Sequence, residues 1–204
     1  MKKKISVVYH GNTFQNFIHN KENSIFQFKY FLYVGGRKRY KNFFSVIEAF
    51  KKNKQIYKEY KIICVGGGKL LDTEKKKLIE NNIDLSKIIF LDKADDNNLF
   101  NLYKNASALI YPSFYEGFGM PIIEAMSIGC PVISSNTSSL PEVYGDAAIS
   151  FSPSSVSELT NNLEKIVFDD DLRGKLIDLG YKQSQKFSWE RCIDETLAIY
   201  NKVI

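Results

Sequence analysis

The chain has 204 residues, 44% hydrophobic and 25% charged, with a formal net charge of +5. This length and composition fit one domain with a sizeable core and exclude a disordered chain. No apolar run reaches the roughly 20 residues of a membrane span, and with only His10 and His19 present a histidine-rich metal site is excluded.

The opening Met1-Lys2-Lys3-Lys4 leads into Ile5-Ser6-Val7-Val8-Tyr9, an apolar stretch too short for a secretion signal. It reads as a strand, and the chain as cytoplasmic. The polar-aromatic sequence from His10 up to residue 29 has no clear periodicity and reads as a linker. From there on, apolar runs at Tyr30–Val34, Ile62–Val65, Ile88–Leu91, Ala108–Tyr111, Val132–Ser134 and Ala148–Phe151 fit strands buried on both faces. Helical patterns lie between them, near residues 42–54, 72–82, 95–105, 121–128 and 155–168. Two more helices follow, over 172–186 and from Trp189 onward. Asn42 and Ser188 are suited to N-caps, Pro121 to a first helical turn, and Gly129 to a helix stop before Pro131. Strands alternating with helices predict parallel pairing through right-handed crossovers, hence an α/β, Rossmann-like doubly wound sheet. Cys64, Cys130 and Cys192 each sit in an apolar stretch and are expected to be buried free thiols.

Charge is unevenly spread. Residues 29 to 61 hold ten lysines and arginines against Glu48 and Glu59 alone. Such a patch suits nucleic acid, anionic lipid or a phosphorylated small molecule, and equally a solvated helix face.

The most informative stretch is Glu116-Gly117-Phe118-Gly119-Met120-Pro121-Ile122-Ile123-Glu124. It leaves the strand ending at Tyr111 and opens the helix at Pro121, at the carboxyl end of the sheet where α/β ligands bind. Its glycines let backbone amides approach a ligand, and a helix start with unpaired N–H groups favours a diphosphate. Glu124, on the first turn, can point into the same crevice, where two acceptor oxygens suit a ribose diol. The bland alternative makes Glu116 a loop residue and Glu124 a complement to the helix dipole. A second stretch, Val34-Gly35-Gly36-Arg37-Lys38-Arg39-Tyr40-Lys41-Asn42, also joins a strand end to a helix start. Its cations would face a phosphate held by the first loop and stabilise a leaving diphosphate as its charge grows. Gly66-Gly67-Gly68 borders the same crevice and reads first as a tight turn.

Tyr111-Pro112-Ser113-Phe114-Tyr115-Glu116, continued from Glu124 to Ile133, resembles the signature of family 4 glycosyltransferases of the GT-B fold: a glutamate, seven residues, a second glutamate. The likeness runs on through Ser134–Val143 and Gly145–Ala148, and Tyr33-Val34-Gly35 with Tyr40-Lys41-Asn42 resembles that family's phosphate loop. It covers about residues 30 to 204. The resemblance implies a retaining transfer of a sugar from a nucleotide-diphosphate sugar to an acceptor hydroxyl. It places Glu116 at the donor sugar as the catalytic candidate, and the amides around Gly117, Phe118, Gly119 and Met120 on the sugar hydroxyls and diphosphate. Glu124 falls on the ribose, and Arg37 and Lys41 on the diphosphate. The spacing from Arg37 to Lys41 is shorter than in many relatives, so Arg39 competes with Arg37.

The same resemblance makes residues 30–204 the C-terminal donor-binding half of a two-domain enzyme and residues 1–29 its connector and remnant strand. A separate acceptor-domain chain is then an expected partner, with a glycan or lipid-linked glycan as acceptor and a possible peripheral place at the inner face of the membrane. GDP-mannose is the first expectation for the donor, and neither cofactor, metal nor nucleic acid is expected. The competing readings are a non-catalytic nucleotide-sugar-binding module or inactive remnant, and a nicotinamide-dependent enzyme. Against the second, no Gly-x-Gly-x-x-Gly turn follows the first strand.

Overall fold

The computed structural model describes residues 5–14 and 26–202. Its frame is a six-stranded parallel sheet: β1 (Lys29–Val34), β2 (Tyr60–Val65), β3 (Ile88–Leu91), β4 (Ala108–Tyr111), β5 (Val132–Ser135) and β6 (Ala148–Phe151). The spatial order is β3-β2-β1-β4-β5-β6. Succession along the sheet reverses between β1 and β4, and the carboxyl ends of the strands at such a switch point are where open α/β sheets bind ligands. This is the Rossmann-like doubly wound sheet that the alternating pattern predicts.

Side chains alternate across the sheet and build two core layers. Phe31 and Tyr33 of β1 join one layer with residues of α1 (Phe43–Lys52), α2 (Lys54–Glu59), α3 (Asp72–Glu80) and α7 (Val156–Phe168). Tyr30 and Leu32 join the other, with α4 (Asp96–Asn105), α5 (Met120–Ser127) and α6 (Leu140–Tyr144). α8 (Asp170–Ser184) packs along α5, where Gly180 lets Met126 approach closely. α9 (Trp189–Tyr200) follows, and Ser188 caps it by accepting from the Arg191 N–H at 3.1 Å. Pro121 stands in the first turn of α5, and Gly129 takes a positive φ after it, as the sequence suggests.

Four local expectations are corrected. The helix expected over 42–54 is two helices, because Asn53 turns extended and its side chain accepts the Ile56 N–H to start α2. Asn42 holds the N-cap position of α1, but its side chain makes no cap hydrogen bond; it sits in the left-handed region at φ 56° and donates its amide to the carbonyls of Pro112 (3.2 Å) and Pro153 (2.8 Å). Ile5–Tyr9 is irregular rather than a strand, with Ile5 and Val7 facing solvent. Cys64 and Cys130 are buried, but Cys192 is only half-buried, on a helix that buries none of its residues fully. Met1–Lys4 and the part of the expected linker at 15–25, with His19, lie outside the described residues.

The remaining N-terminal segment folds back on the body. Tyr9 lies 6.0 Å from Phe118 and 5.6 Å from Phe187, ring to ring, and His10 contacts Phe118 and Trp189. The Asn12 N–H donates to the Phe187 carbonyl at 3.2 Å. The basic run 29–61 is divided by the strand direction. Lys29 and Lys61 lie on the rings of Tyr60 and Phe28 at the amino end of β1 and β2, whereas Arg37 and Lys41 follow the carboxyl end of β1.

Candidate functional site

After β1 the chain passes Gly35 and Gly36 to one 3-10 turn, Arg39–Lys41, and enters α1. After β4 it runs from Pro112 to the start of α5. The two loops are joined directly: the Phe114 N–H donates to the Tyr40 carbonyl at 2.8 Å, and the Asn42 amide reaches Pro112. At this seam the Lys41 ammonium lies 2.6 Å from Glu116 Oε1, which also accepts from Ser113 Oγ at 2.6 Å. Both side chains are largely buried, with 17% and 11% exposure, so the pair interacts through a medium less polarisable than water. Lys41 also lies over the ring of Tyr111 at 5.6 Å, and the Tyr111 hydroxyl hydrogen-bonds Glu116. Burial pushes the Tyr111 hydroxyl well above its ordinary range, and the charge of Glu116 adds to the rise. It therefore stays protonated at neutral pH.

The run of small hydroxyl residues after β5 braces this loop, a role that sequence reasoning did not assign. Ser135 Oγ and Thr137 Oγ1 donate to the Ser113 carbonyl at 2.5 and 3.1 Å. Ser138 Oγ accepts the Glu116 N–H at 3.0 Å, and Ser139 Oγ donates to the carbonyls of Glu116 and Phe118 at 3.0 Å each. With its carbonyls held from behind, the orientation of the peptide planes from 116 to 118 is set. The only sequence signal was a polar run directly after a strand in a sheet whose ligands bind at that end.

The two glycines of the loop serve different ends. Gly119 has φ 119°, and a Cβ there would fall 2.9 Å from Leu140 Cδ2, so backbone and space both demand glycine. Gly117 has nothing within 4 Å of where its Cβ would be and borders open space. Met120 begins α5; Pro121 brings no N–H and the Ile122 N–H is taken by the Gly119 carbonyl at 3.0 Å, so beyond the Met120 amide this helix start offers its positive dipole end. Phe118 turns its ring to Tyr9, His10 and Phe187.

Glu124 stands one turn further along α5 and is half-buried. Its Oε2 accepts from the Tyr103 hydroxyl of α4 at 2.9 Å, and the Thr13 side chain supplies another hydrogen bond. Burial raises the carboxyl's pKa above the ordinary range, the two hydrogen bonds oppose that rise, and the charge of Asp96 adds to it. Tyr111 feels the charges of both Glu116 and Glu124. Thus Lys41, Glu116 and Glu124 all lie near Tyr111, at the carboxyl end of β4.

Arg37 is placed elsewhere. It is 8% exposed, and its guanidinium donates to the carbonyls of Gly66, Gly67, Gly68 and Lys69 and to both oxygens of Glu74, all at 3.1–3.3 Å. Phe90 lies under it, 5.2 Å from the ring centre. A guanidinium withdrawn from water must find acceptors for its five N–H donors, and the glycine turn supplies them at short range. Here Arg37 is a staple between two loops, with no contact to Glu116, Lys41 or Glu124. Gly67 belongs to this staple, since a Cβ there would lie 2.9 Å from Arg37 Nη1. Arg39 is solvent-exposed. Among the described residues no group of three or more His, Cys, Asp or Glu could hold a metal ion, and no helix is long and apolar enough to cross a membrane.

A cation, a carboxylate and a glycine loop before a helix start, at the carboxyl end of the sheet, suit a ligand with a diphosphate and several hydroxyls. Residues 14–183 match the family model described as glycosyl transferases group 1. The chain is similar to an O-antigen chain mannosyltransferase B of Escherichia coli, with 36% identity over 84% of this chain and 45% of that protein. It is also similar to the C-terminal domain of a glycosyl transferase group 1 family protein (LpcC) from Francisella tularensis, at 27% identity and a TM-score of 0.66, covering 78% of this chain and 86% of that one. WaaG, a glycosyltransferase involved in lipopolysaccharide biosynthesis, has the same fold at 19% identity and a TM-score of 0.78, over 95% of this chain and 55% of that one. The chain spans about half the length of the curated relatives it matches.

Proposed function

The chain belongs to the glycosyl transferases group 1 family, and from that premise we propose that it is the C-terminal, donor-binding half of a retaining GT-B enzyme of family 4. In this reading residues 30–204 bind a nucleotide-diphosphate sugar and residues 1–29 lead to the acceptor-binding half. The sugar passes to a hydroxyl of a glycan or lipid-linked glycan at the inner face of the membrane. GDP-mannose is the proposed donor, supported by the mannosyltransferase names of the relatives at 36% identity.

The observation that carries the proposal is the Lys41–Glu116 pair beside the glycine loop that opens α5. An ammonium has three N–H donors, and Glu116 takes one, so Lys41 can keep the carboxylate in place while it meets a phosphate oxygen. The diphosphate gains negative charge as the sugar leaves, so this fixed cation stabilises the transition state more than the bound donor. Glu116, held by Lys41, Ser113 and Tyr111, stands where the reacting sugar would rest against Gly117. Glu124 receives the ribose hydroxyls. Arg37 acts at one remove in this account, by holding the glycine turn against the phosphate loop.

A thermal-shift panel of GDP, UDP, ADP and dTDP, with their sugars, tests the proposal. At least one ribonucleoside diphosphate is expected to raise Tm by several degrees at millimolar concentration. Calorimetry should then show Glu124→Ala binding that nucleotide at least about tenfold more weakly, the loss expected for two hydrogen bonds to a charged acceptor. Wild-type affinity in this variant would remove Glu124 from the site, and with it the ribose assignment.

A further inference from the structure

We propose that Tyr103 is the positioning residue of the nucleotide site: its hydroxyl holds one oxygen of the Glu124 carboxylate so that the other faces the ribose. This rests on the reading of Glu124 given above and adds the residue that makes the carboxylate usable.

Tyr103 lies on the sheet-facing side of α4, twenty-one positions before Glu124, and is fully buried. Its ring packs with Phe14, and its hydroxyl donates to Glu124 Oε2 at 2.9 Å. Burial holds this phenol in the protonated form, with the neighbouring carboxylate adding to the effect, so it is a donor at neutral pH. Of the two donors that hold this carboxyl, the exposed Thr13 lies on the amino-terminal segment, so Tyr103 is the one fixed in the core. A second consequence follows from burial. An ionised carboxylate offers acceptors only, whereas protonation turns one oxygen into a donor and weakens it as an acceptor for the ribose hydroxyls. Glu124 is buried enough to be drawn towards protonation, and the Tyr103 and Thr13 hydrogen bonds favour the charged form.

Among the described residues, the groups facing Glu124 are few. α4 presents Tyr103 and Asp96, the N-terminal segment presents the neutral hydroxyl of Thr13, and β4 presents Tyr111. Asp96 repels the carboxylate and Tyr111 stays neutral, so the phenol and the threonine hydroxyl are the groups there that favour ionisation.

Tyr103→Phe removes one oxygen and keeps the buried ring. In the 204-residue chain, carbon-13 NMR of labelled glutamate side chains should show the Glu124 carboxyl titrating at higher pH in the variant than in the wild type. GDP, or whichever diphosphate of the panel binds, should bind roughly tenfold more weakly at neutral pH. That loss should deepen as pH falls through the raised carboxyl pKa. The preference for GDP over 2′-deoxy-GDP should shrink in parallel, which a simple loss of packing would not produce. An unchanged carboxyl titration, or an affinity loss equal at all pH values and for both sugars, overturns the positioning role. Glu124→Ala separates the two levels of argument. If that variant loses GDP while Tyr103→Phe retains wild-type behaviour, only the proposal for Tyr103 fails. If Glu124→Ala also binds normally, the ribose reading itself fails and the positioning role goes with it.

Discussion

Replacing Lys41 with Met lowers sugar transfer about 10²–10³-fold, the loss typical when one preorganised charge-stabilising donor is removed from a reacting centre. Met keeps an aliphatic stem against the rings of Tyr40 and Tyr111, on which the lysine now lies. The change therefore deletes the charge and little of the packing. Transfer is measured with the acceptor-binding half present, and nucleoside diphosphate affinity separately by calorimetry. The effect on kcat should exceed the effect on affinity, because the diphosphate is most charged as it departs. Glu116→Gln provides the matching arm, with transfer strongly reduced and diphosphate binding largely retained. Equal transfer by Lys41→Met and wild type would remove the lysine from the mechanism.

The second large effect is on stability. Arg37→Ala should cost about 3–5 kcal/mol, because it leaves Glu74 and several carbonyls of the glycine turn without their shared donor in a largely buried setting. For a chain of this size that corresponds to a fall in Tm of about 10 °C, read by calorimetry or circular dichroism. Nucleotide affinity measured well below that transition should change far less than in Lys41→Met. The reverse pattern, with normal stability and lost affinity, would show that Arg37 leaves its glycine turn to meet the diphosphate.

The contrast between these two cations marks where the sequence stopped being legible. Arg37 and Lys41 stand four residues apart in one loop, and composition alone casts both as phosphate ligands. What separates them is direction. Glu74 lies thirty-seven positions beyond Arg37 and Gly66 twenty-nine, and only the closed sheet brings these acceptors to the guanidinium. The strands were legible for the opposite reason. A parallel strand buried on both faces must be an apolar run whatever its neighbours are, as Tyr30–Val34 and Ala108–Tyr111 are. The same rule fails for short helices. α6 is five residues long, and α2 is separated from α1 by Asn53, which ends one helix and caps the next without a proline or glycine to mark the break. Asn42 has the residue type of a cap but spends its amide on two distant carbonyls. The glutamate pair and its glycines stand out in the sequence by their spacing as candidates for a site. Tyr103 and the hydroxyl brace of Ser135–Ser139 were not, because their partners are set by tertiary approach.

The back-folded segment from Tyr9 to Phe14 bears on how the molecule can be cut. Gly11 lies so close to Trp189 that any side chain there would collide with the indole, and Thr13 reaches Glu124 itself. Mechanically, the amino-terminal segment is already part of the α/β body by Tyr9, well before β1. A shortened version beginning at residue 30 would bare the rings of Phe118, Phe187 and Trp189 and deprive the Glu124 carboxylate of one of its two donors.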